Sequence, residues 1–298
     1  MAKRRFSLIS ILLIGCLFLG VYVAGVGADH EDNLVGQVND RGKLTVSFID
    51  VGQGDSILIQ TPLGQSMLID GGERGQGERL LEYLRKQGID KIDIMVGTHP
   101  HSDHIGGLIA VLENFRVEKV YLPKVTHTSS TFRDLLTAVK NQGLKVSTAK
   151  AGTAIPLEGV DTVFIAPVGD TYGSLNNYSA VVQLAYGNKS FIFCGDAEEE
   201  SEQDMLSSSQ GDLKAEVLKV GHHGSSTSTS DPFLNAAAPQ YAVIMCGTDN
   251  DYGHPHKETI EKLNQAGVKI YRTDENGNIV FSSDGNSLKI ETFRGSGG

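Results

Sequence analysis

Three histidines and an aspartate fall within six residues, His99-Pro-His101-Ser-Asp103-His104, with Ile105-Gly106-Gly107 directly after them. The run follows an apolar stretch, residues 92–96, that reads as a buried strand. In an extended loop His99 and His101 project to one side and can grip one cation, while Asp103 and His104 turn toward a second. Imidazole and carboxylate suit zinc, manganese or iron; calcium prefers oxygen ligands throughout. The glycines let the next helix start hard against the site, where a Cβ would clash. A polar surface loop that happens to hold three histidines is the plain alternative, and the density and order of ligand types weigh against it.

Further chemistry sits at other strand ends. Phe191-Ile-Phe-Cys194-Gly195-Asp196 closes a strand on an acid, and a carboxylate with two oxygens can bridge two cations. The competing role for Asp196 is capping the helix expected over 197–207. Gly221-His222-His223-Gly224-Ser225 follows another strand. There His222 is expected to complete the ligands of the second metal with Asp103, His104 and Asp196, leaving His223 and Ser225 behind it or toward substrate. Asp70, in Leu68-Ile69-Asp70-Gly71-Gly72, suits accepting an imidazole N–H and fixing a tautomer, or else an Asp-Gly turn. Tyr252-Gly253-His254-Pro255-His256 offers His254 as an acid or phosphate clamp, or as a cap of its own loop. His30, His127 and His256 read as surface residues. Asp50-Val-Gly-Gln-Gly-Asp55 is a glycine-rich turn that matches neither phosphate-loop pattern.

Recurrent placement at strand ends matters, because loops at one sheet edge can converge. Strands are expected over 44–49, 56–60 and 66–69 as a meander, then at 92–96, 117–122, 162–167, 180–186, 190–194, 216–220, 241–246, 268–272, 279–282 and 287–291. Helices are expected over 78–87, 105–114, 132–142, 197–207, 232–238 and 257–266. Strands interleaved with helices in two similar halves predict two packed sheets with helices outside, one α/β (α+β) domain over 43–293.

The chain has 298 residues, 40% of them hydrophobic, and a net charge of −10. An acidic balance argues against non-specific wrapping of a polyanion. Lys3, Arg4 and Arg5 precede an uncharged apolar run over 6–27, the pattern of an export signal. Cleavage after Ala28, lipidation at Cys16 and an uncleaved membrane anchor are the alternatives, and each predicts a secreted or extracellular protein. Cleavage would take the charge from −10 to −13 through loss of the three cations. Residues 29–42 read as a linker. Cys194 and Cys246 each end an apolar run and read as buried thiols, with a disulfide as the alternative that export permits.

The order Asp70, His99-x-His101-x-Asp103-His104, Asp196 and His222 resembles the metallo-β-lactamase superfamily, which implies a four-layer αββα sandwich and a dinuclear site. Phe48-Ile-Asp-Val-Gly-Gln-Gly-Asp55, Asn176-Asn177-Tyr178-Ser179, Leu218-Lys-Val-Gly-His-His-Gly-Ser225, Tyr252-Gly-His-Pro255 and Tyr271-Arg-Thr-Asp-Glu-Asn-Gly277 resemble the hydrolase domain of the competence DNA-internalisation (ComEC-type) proteins. Competence proteins commonly carry Asp where His101 stands. The middle histidine that most β-lactamases and thioesterases place on the first metal is missing; Asn176 and Asn177 occupy that stretch, where an amide oxygen would be a weak ligand or hold a substrate oxygen.

The expectation is an extracellular hydrolase with two divalent ions, zinc or manganese, using Asp103 and His254 in catalysis on a small or polymeric phosphodiester such as single-stranded DNA. A β-lactamase- or thioesterase-like carbonyl hydrolase and a non-catalytic metal-binding module are the alternatives. Membrane association is expected only through the N-terminal segment, and no obligate protein partner is evident.

Overall fold

Among the described residues fourteen strands form two sheets, laid down by short runs rich in apolar residues. The structure, a computed structural model, describes residues 42–208 and 212–294. The expected export signal, and the expected linker up to residue 41, lie outside the described residues. In chain order the first sheet receives β1 Leu44–Phe48, β2 Ile57–Gln60 and β3 Ser66–Ile69. Helix α1 Gly77–Lys86 leads to β4 Lys91–Val96, α2 Ser102–Asn114 to β5 Arg116–Pro123, and α3 Ser130–Asn141 to β6 Val146–Ala149. The second sheet takes β7 Asp161–Phe164, β8 Val182–Tyr186 and β9 Lys189–Phe193, then α4 Glu199–Ser207 and β10 Val217–Lys219. Helix α5 Asp231–Ala237, β11 Tyr241–Ile244, α6 Lys257–Gln265 and β12 Lys269–Arg272 complete it. A short α7, Thr273–Asn276, returns the chain to the first sheet as β13 Asn278–Ser283 and β14 Leu288–Phe293.

The sheets have strand orders β14-β13-β1-β2-β3-β4-β5-β6 and β12-β11-β10-β9-β8-β7. Period-2 alternation explains how strands with no polar face stay buried. Ile57 and Ile59 join Phe191 and Phe193 in the core between the sheets, whereas Leu58 packs outward with Leu84, Leu108 and Leu135 of the first helical layer. Ile192 packs outward with Met205, Phe233 and Leu263 of the second. The result is the expected αββα sandwich.

Strands β3 to β6 are parallel, as are β9 to β12. Parallel strands end on the same edge of their sheet, so the segments after β3, β4, β9, β10 and β11 carry their polar residues to a common rim. Two departures from expectation are instructive. Helix α2 begins at Ser102, three residues early, which puts Asp103 and His104 in its first turn rather than in an extended loop; an aspartate there suits the positive end of the helix dipole. Strand β6 was not foreseen because it is an edge strand with polar and exposed positions that lacks a clean alternation. Cys194 and Cys246 are both buried free thiols, raised above their ordinary pKa by burial. Among the described residues no helix is long and apolar enough to cross a membrane.

Candidate metal centre

Gly106 and Gly107 let α2 approach β3's exit, since a Cβ on either would run into the backbone of Arg74 or Gly71. That approach sets His104 against Asp70. Asp70 Oδ1 and Oδ2 accept from the Thr98 backbone N–H and hydroxyl at 2.8 and 2.6 Å, and Oδ2 lies 2.8 Å from His104 Nδ1. With Nδ1 donating a hydrogen bond to Asp70, the Nε2 edge of the ring faces inward. Asp70 therefore sits where an orienting carboxylate would.

Asp196 lies at the centre of the cluster. Its Oδ2 is 3.1 Å from His104 Nε2, 3.5 Å from His223 Nε2 and 3.6 Å from His99 Nε2. Its Oδ1 is buried without a hydrogen-bond partner. His99 Nε2 lies 2.9 Å from His101 Nδ1. Three groups have their ligand atoms within 4.8 Å of one another, and two of them share Asp196: His99, His101 and Asp196, and Asp103, His104, Asp196 and His223; the third, Asp55, Asp70 and His104, lies behind them. Burial resists ionisation of Asp196, but the facing His104 and His223 hold its carboxyl well below the usual range. Burial likewise opposes charge on His104, and Asp196, Asp103 and Asp70 overcome it to raise that imidazole well above its ordinary value. Imidazole nitrogens aimed at carboxylates and at one another (His104 and His223 Nε2 are 3.3 Å apart) form a donor set suited to divalent cations.

His223, and not His222, enters this set. Its Nδ1 lies 2.9 Å from the Met245 carbonyl, so an Nδ1 proton donated there turns Nε2 toward Asp103 Oδ2 at 3.2 Å. His222 stands 3.9 Å from Asp196 and instead has Nδ1 3.2 Å from Glu198 Oε1. The reason is backbone geometry: both residues are left-handed, with φ of 46° and 54°, which turns one ring out and the next in. For residues with a Cβ that geometry costs about 1–2 kcal/mol each.

The remaining expected residues divide. His254 lines the cleft over the cluster, its ring 5.4 Å from His222 and 6.1 Å from His223. Burial, with His223, His222 and His256 nearby, brings its pKa down to about 4, leaving a neutral ring. Asn176 Nδ2 reaches His222 Nε2 at 3.4 Å and is near the rim. Asn177 is turned away: its Oδ1 accepts from the Glu198 and Ser201 N–H groups at 3.0 and 3.3 Å, holding the start of α4. Ser225 is also occupied locally, with its Oγ 3.0 Å from Thr227 Oγ1 and accepting from the Thr227 N–H. His127, expected on the open surface, lines the same cleft. His256 is bound to Ser226 in an exposed loop, as a surface residue would be; His30 lies outside the described residues.

Two residues were missed. Asp55 and Lys219 form a wholly buried ion pair behind the cluster, with Lys219 Nζ also donating to the Gly195 carbonyl at 2.8 Å and Asp55 Oδ1 3.3 Å from His223 Nδ1. Burial alone would neutralise both; Lys219 lowers the Asp55 pKa and Asp55 raises that of Lys219, keeping them charged. A lysine inside the apolar run Val217-Leu-Lys-Val220 was the available signal, because a charge on a doubly covered strand needs a partner.

An αββα sandwich carrying a strand-end cluster of histidines and aspartates is the architecture of a metal-dependent hydrolase. A model of the metallo-beta-lactamase superfamily matches residues 49–248, and the chain belongs to that superfamily. ComE operon protein 3 of Bacillus subtilis (strain 168) is 31% identical over 253 residues, covering 79% of this chain and 32% of that protein. Competence protein ComA of Neisseria gonorrhoeae is 29% identical over 255 residues, 85% of this chain and 34% of the relative. The chain thus spans about a third of the length of these relatives. The metallo-beta-lactamase fold protein YhfI from Bacillus subtilis superposes with a TM-score of 0.52 at 12% identity, over 80% of this chain and 100% of that one. Superfamily and donor set together imply divalent metal ions.

Proposed function

We propose that this protein is an exported phosphodiesterase that works with two divalent ions, zinc or manganese, which the two ligand sets that have Asp196 in common would hold. The observation that carries the reading is the make-up of the first ligand set. It holds two histidines and one carboxylate, and among the described residues no histidine between His104 and His222 joins it, because His127 stands at the cleft wall. Two non-bridging phosphate oxygens can complete such ligand shells, whereas a lactam or thioester offers one carbonyl oxygen. The similarity to competence proteins supports the same choice, as does the basic start and apolar run of residues 1–28 for export.

Bound ions would lower the pKa of water and stabilise charge on the reacting phosphoryl group. The chain's own residues would do the rest. Asp103, partly open to the cleft and held ionised against burial by His104 and His223, orients the attacking water. Asp70 and the Met245 carbonyl keep His104 and His223 in the orientation that presents Nε2. His254, a neutral ring on the cleft wall, donates a hydrogen bond to a phosphoryl oxygen.

Metal content and turnover test this reading together. The protein is expected to hydrolyse bis-p-nitrophenyl phosphate, to lose that activity with chelator and regain it with manganese or zinc, and to leave nitrocefin intact. Asp103→Ala should reduce turnover at least a hundredfold at matched metal loading, with an unchanged circular-dichroism spectrum. Robust nitrocefin cleavage with none of any phosphodiester would replace the reading with a carbonyl hydrolase. Metal binding without turnover on either would replace it with a recognition module.

A further inference from the structure

We infer that Tyr252 is a stacking platform for a nucleobase, so that the diester taken by the cleft is that of a nucleoside; this rests on the phosphodiester reading above. Among the described residues Tyr252 is the one exposed tyrosine or phenylalanine, at 66%, and it lines the cleft that holds Asp103, Asp196 and His223. Single exposed apolar residues are ordinary on protein surfaces, so exposure alone means little. Position, bracing and the surrounding chemistry add to it.

The turn that presents the ring is tied down. Asn250 Nδ2 donates to the Gly247 and His254 carbonyls at 2.9 and 2.6 Å, and its Oδ1 accepts from the His254 N–H at 3.0 Å. An aromatic held this way loses little freedom when a ligand covers it. The ring runs nearly parallel to that of His254, with centroids 5.6 Å apart and planes 17° apart, so the wall above the metal cluster continues outward as an aromatic surface.

The cleft is also short of positive side chains. No lysine or arginine lines its 350 Å³ among the described residues, and the whole chain carries a charge of −10. Tracking a phosphate backbone by ion pairing needs such cations. Away from the Asp103 and Asp196 carboxylates of the cluster, what the cleft offers instead is neutral. Gln53 has its Oε1 taken by the Gly247 N–H at 3.2 Å, which leaves its buried Nε2 as a donor without a partner at the same cleft. Stacking on tyrosine needs no charge and accepts any base, because every base has a π face. A planar base attached to the reacting phosphate, stacked on Tyr252 while the phosphoryl group lies over the cluster, uses both neutral devices.

The test compares thymidine 5′-(p-nitrophenyl phosphate) with methyl p-nitrophenyl phosphate, two diesters with one leaving group, on the full, manganese-loaded protein. Wild type should prefer the thymidine ester in kcat/KM. Tyr252→Ala should lower that preference about tenfold, through KM, and Tyr252→Phe should keep it. An unchanged preference in Tyr252→Ala would overturn the stacking role while diester hydrolysis stood. Loss of the preference in Tyr252→Phe would overturn it as well, since the hydroxyl and not the ring would then be the recognition element. Failure of wild type to cleave either diester would instead remove the reading beneath it.

Discussion

His222 and His223 differ by one position and by their whole environment. The second has both ring nitrogens engaged among Met245, Asp103 and Asp196; the first faces Glu198 and is partly open to solvent. His223→Gln is therefore expected to lose metal from the second ligand set, while His222→Gln keeps the wild-type metal content, both read by elemental analysis of the purified protein. Equal loss in the two variants would mean that the left-handed turn does not select between them. A second residue-scale expectation concerns the buried pair behind the cluster. Removing one charge of such a pair leaves the other unpaired and typically costs about 3–5 kcal/mol. Lys219→Met and Asp55→Leu should each destabilise the protein by about that much in urea unfolding, and the double variant by well under the sum. Additive losses would show that the charges do not depend on each other.

At the scale of elements, helix α2 is the positioning device. Gly107 touches the Gly71 backbone so closely that a methyl group must push helix and strand exit apart. Gly107→Ala is expected to cost about 1–3 kcal/mol, the range for overpacking, and to weaken metal binding at the same time because His104 moves away from Asp70. Metal affinity unchanged beside a clear stability loss would separate the helix contact from the site. This contact was legible beforehand as two glycines one residue beyond the last histidine of the run. Helix α2's early start was not, since Ser102, Asp103 and His104 have no apolar period to mark a first turn. Asn177 shows the opposite case. Its sequence position suggested the cluster, yet its side chain holds α4, because the Glu198 and Ser201 N–H groups at that helix start need acceptors.

For the molecule as a whole, the cluster draws on loops after strands of both sheets, so metal binding links the two halves of the sandwich. A ligand that binds only the folded state stabilises it by about 4 kcal/mol at a thousand times its Kd. For a domain of this size each kcal/mol moves Tm by about 2–4 °C, so chelation should lower Tm by roughly 10 °C, restored by adding manganese or zinc. A Tm indifferent to complete metal removal, with the metal verified absent, would show that the ions do not tie the sheets together.

The sequence by itself determined the class of chemistry and the frame that carries it. Ligand types packed at His99 to His104, apolar runs ending in polar residues, and alternating strands and helices are local patterns, and local patterns survive in a linear string. Asp196 belonged to the same reading because it closes a strand at a glycine. Only the tertiary structure decided which of two neighbouring histidines turns inward, that Asp55 and Lys219 neutralise each other, and that His127 and Tyr252 meet at one cleft. Those facts depend on the sign of φ at His222 and His223 and on which strand ends share a rim. Strand pairing across the sheets sets the latter, and no spacing along the chain encodes it.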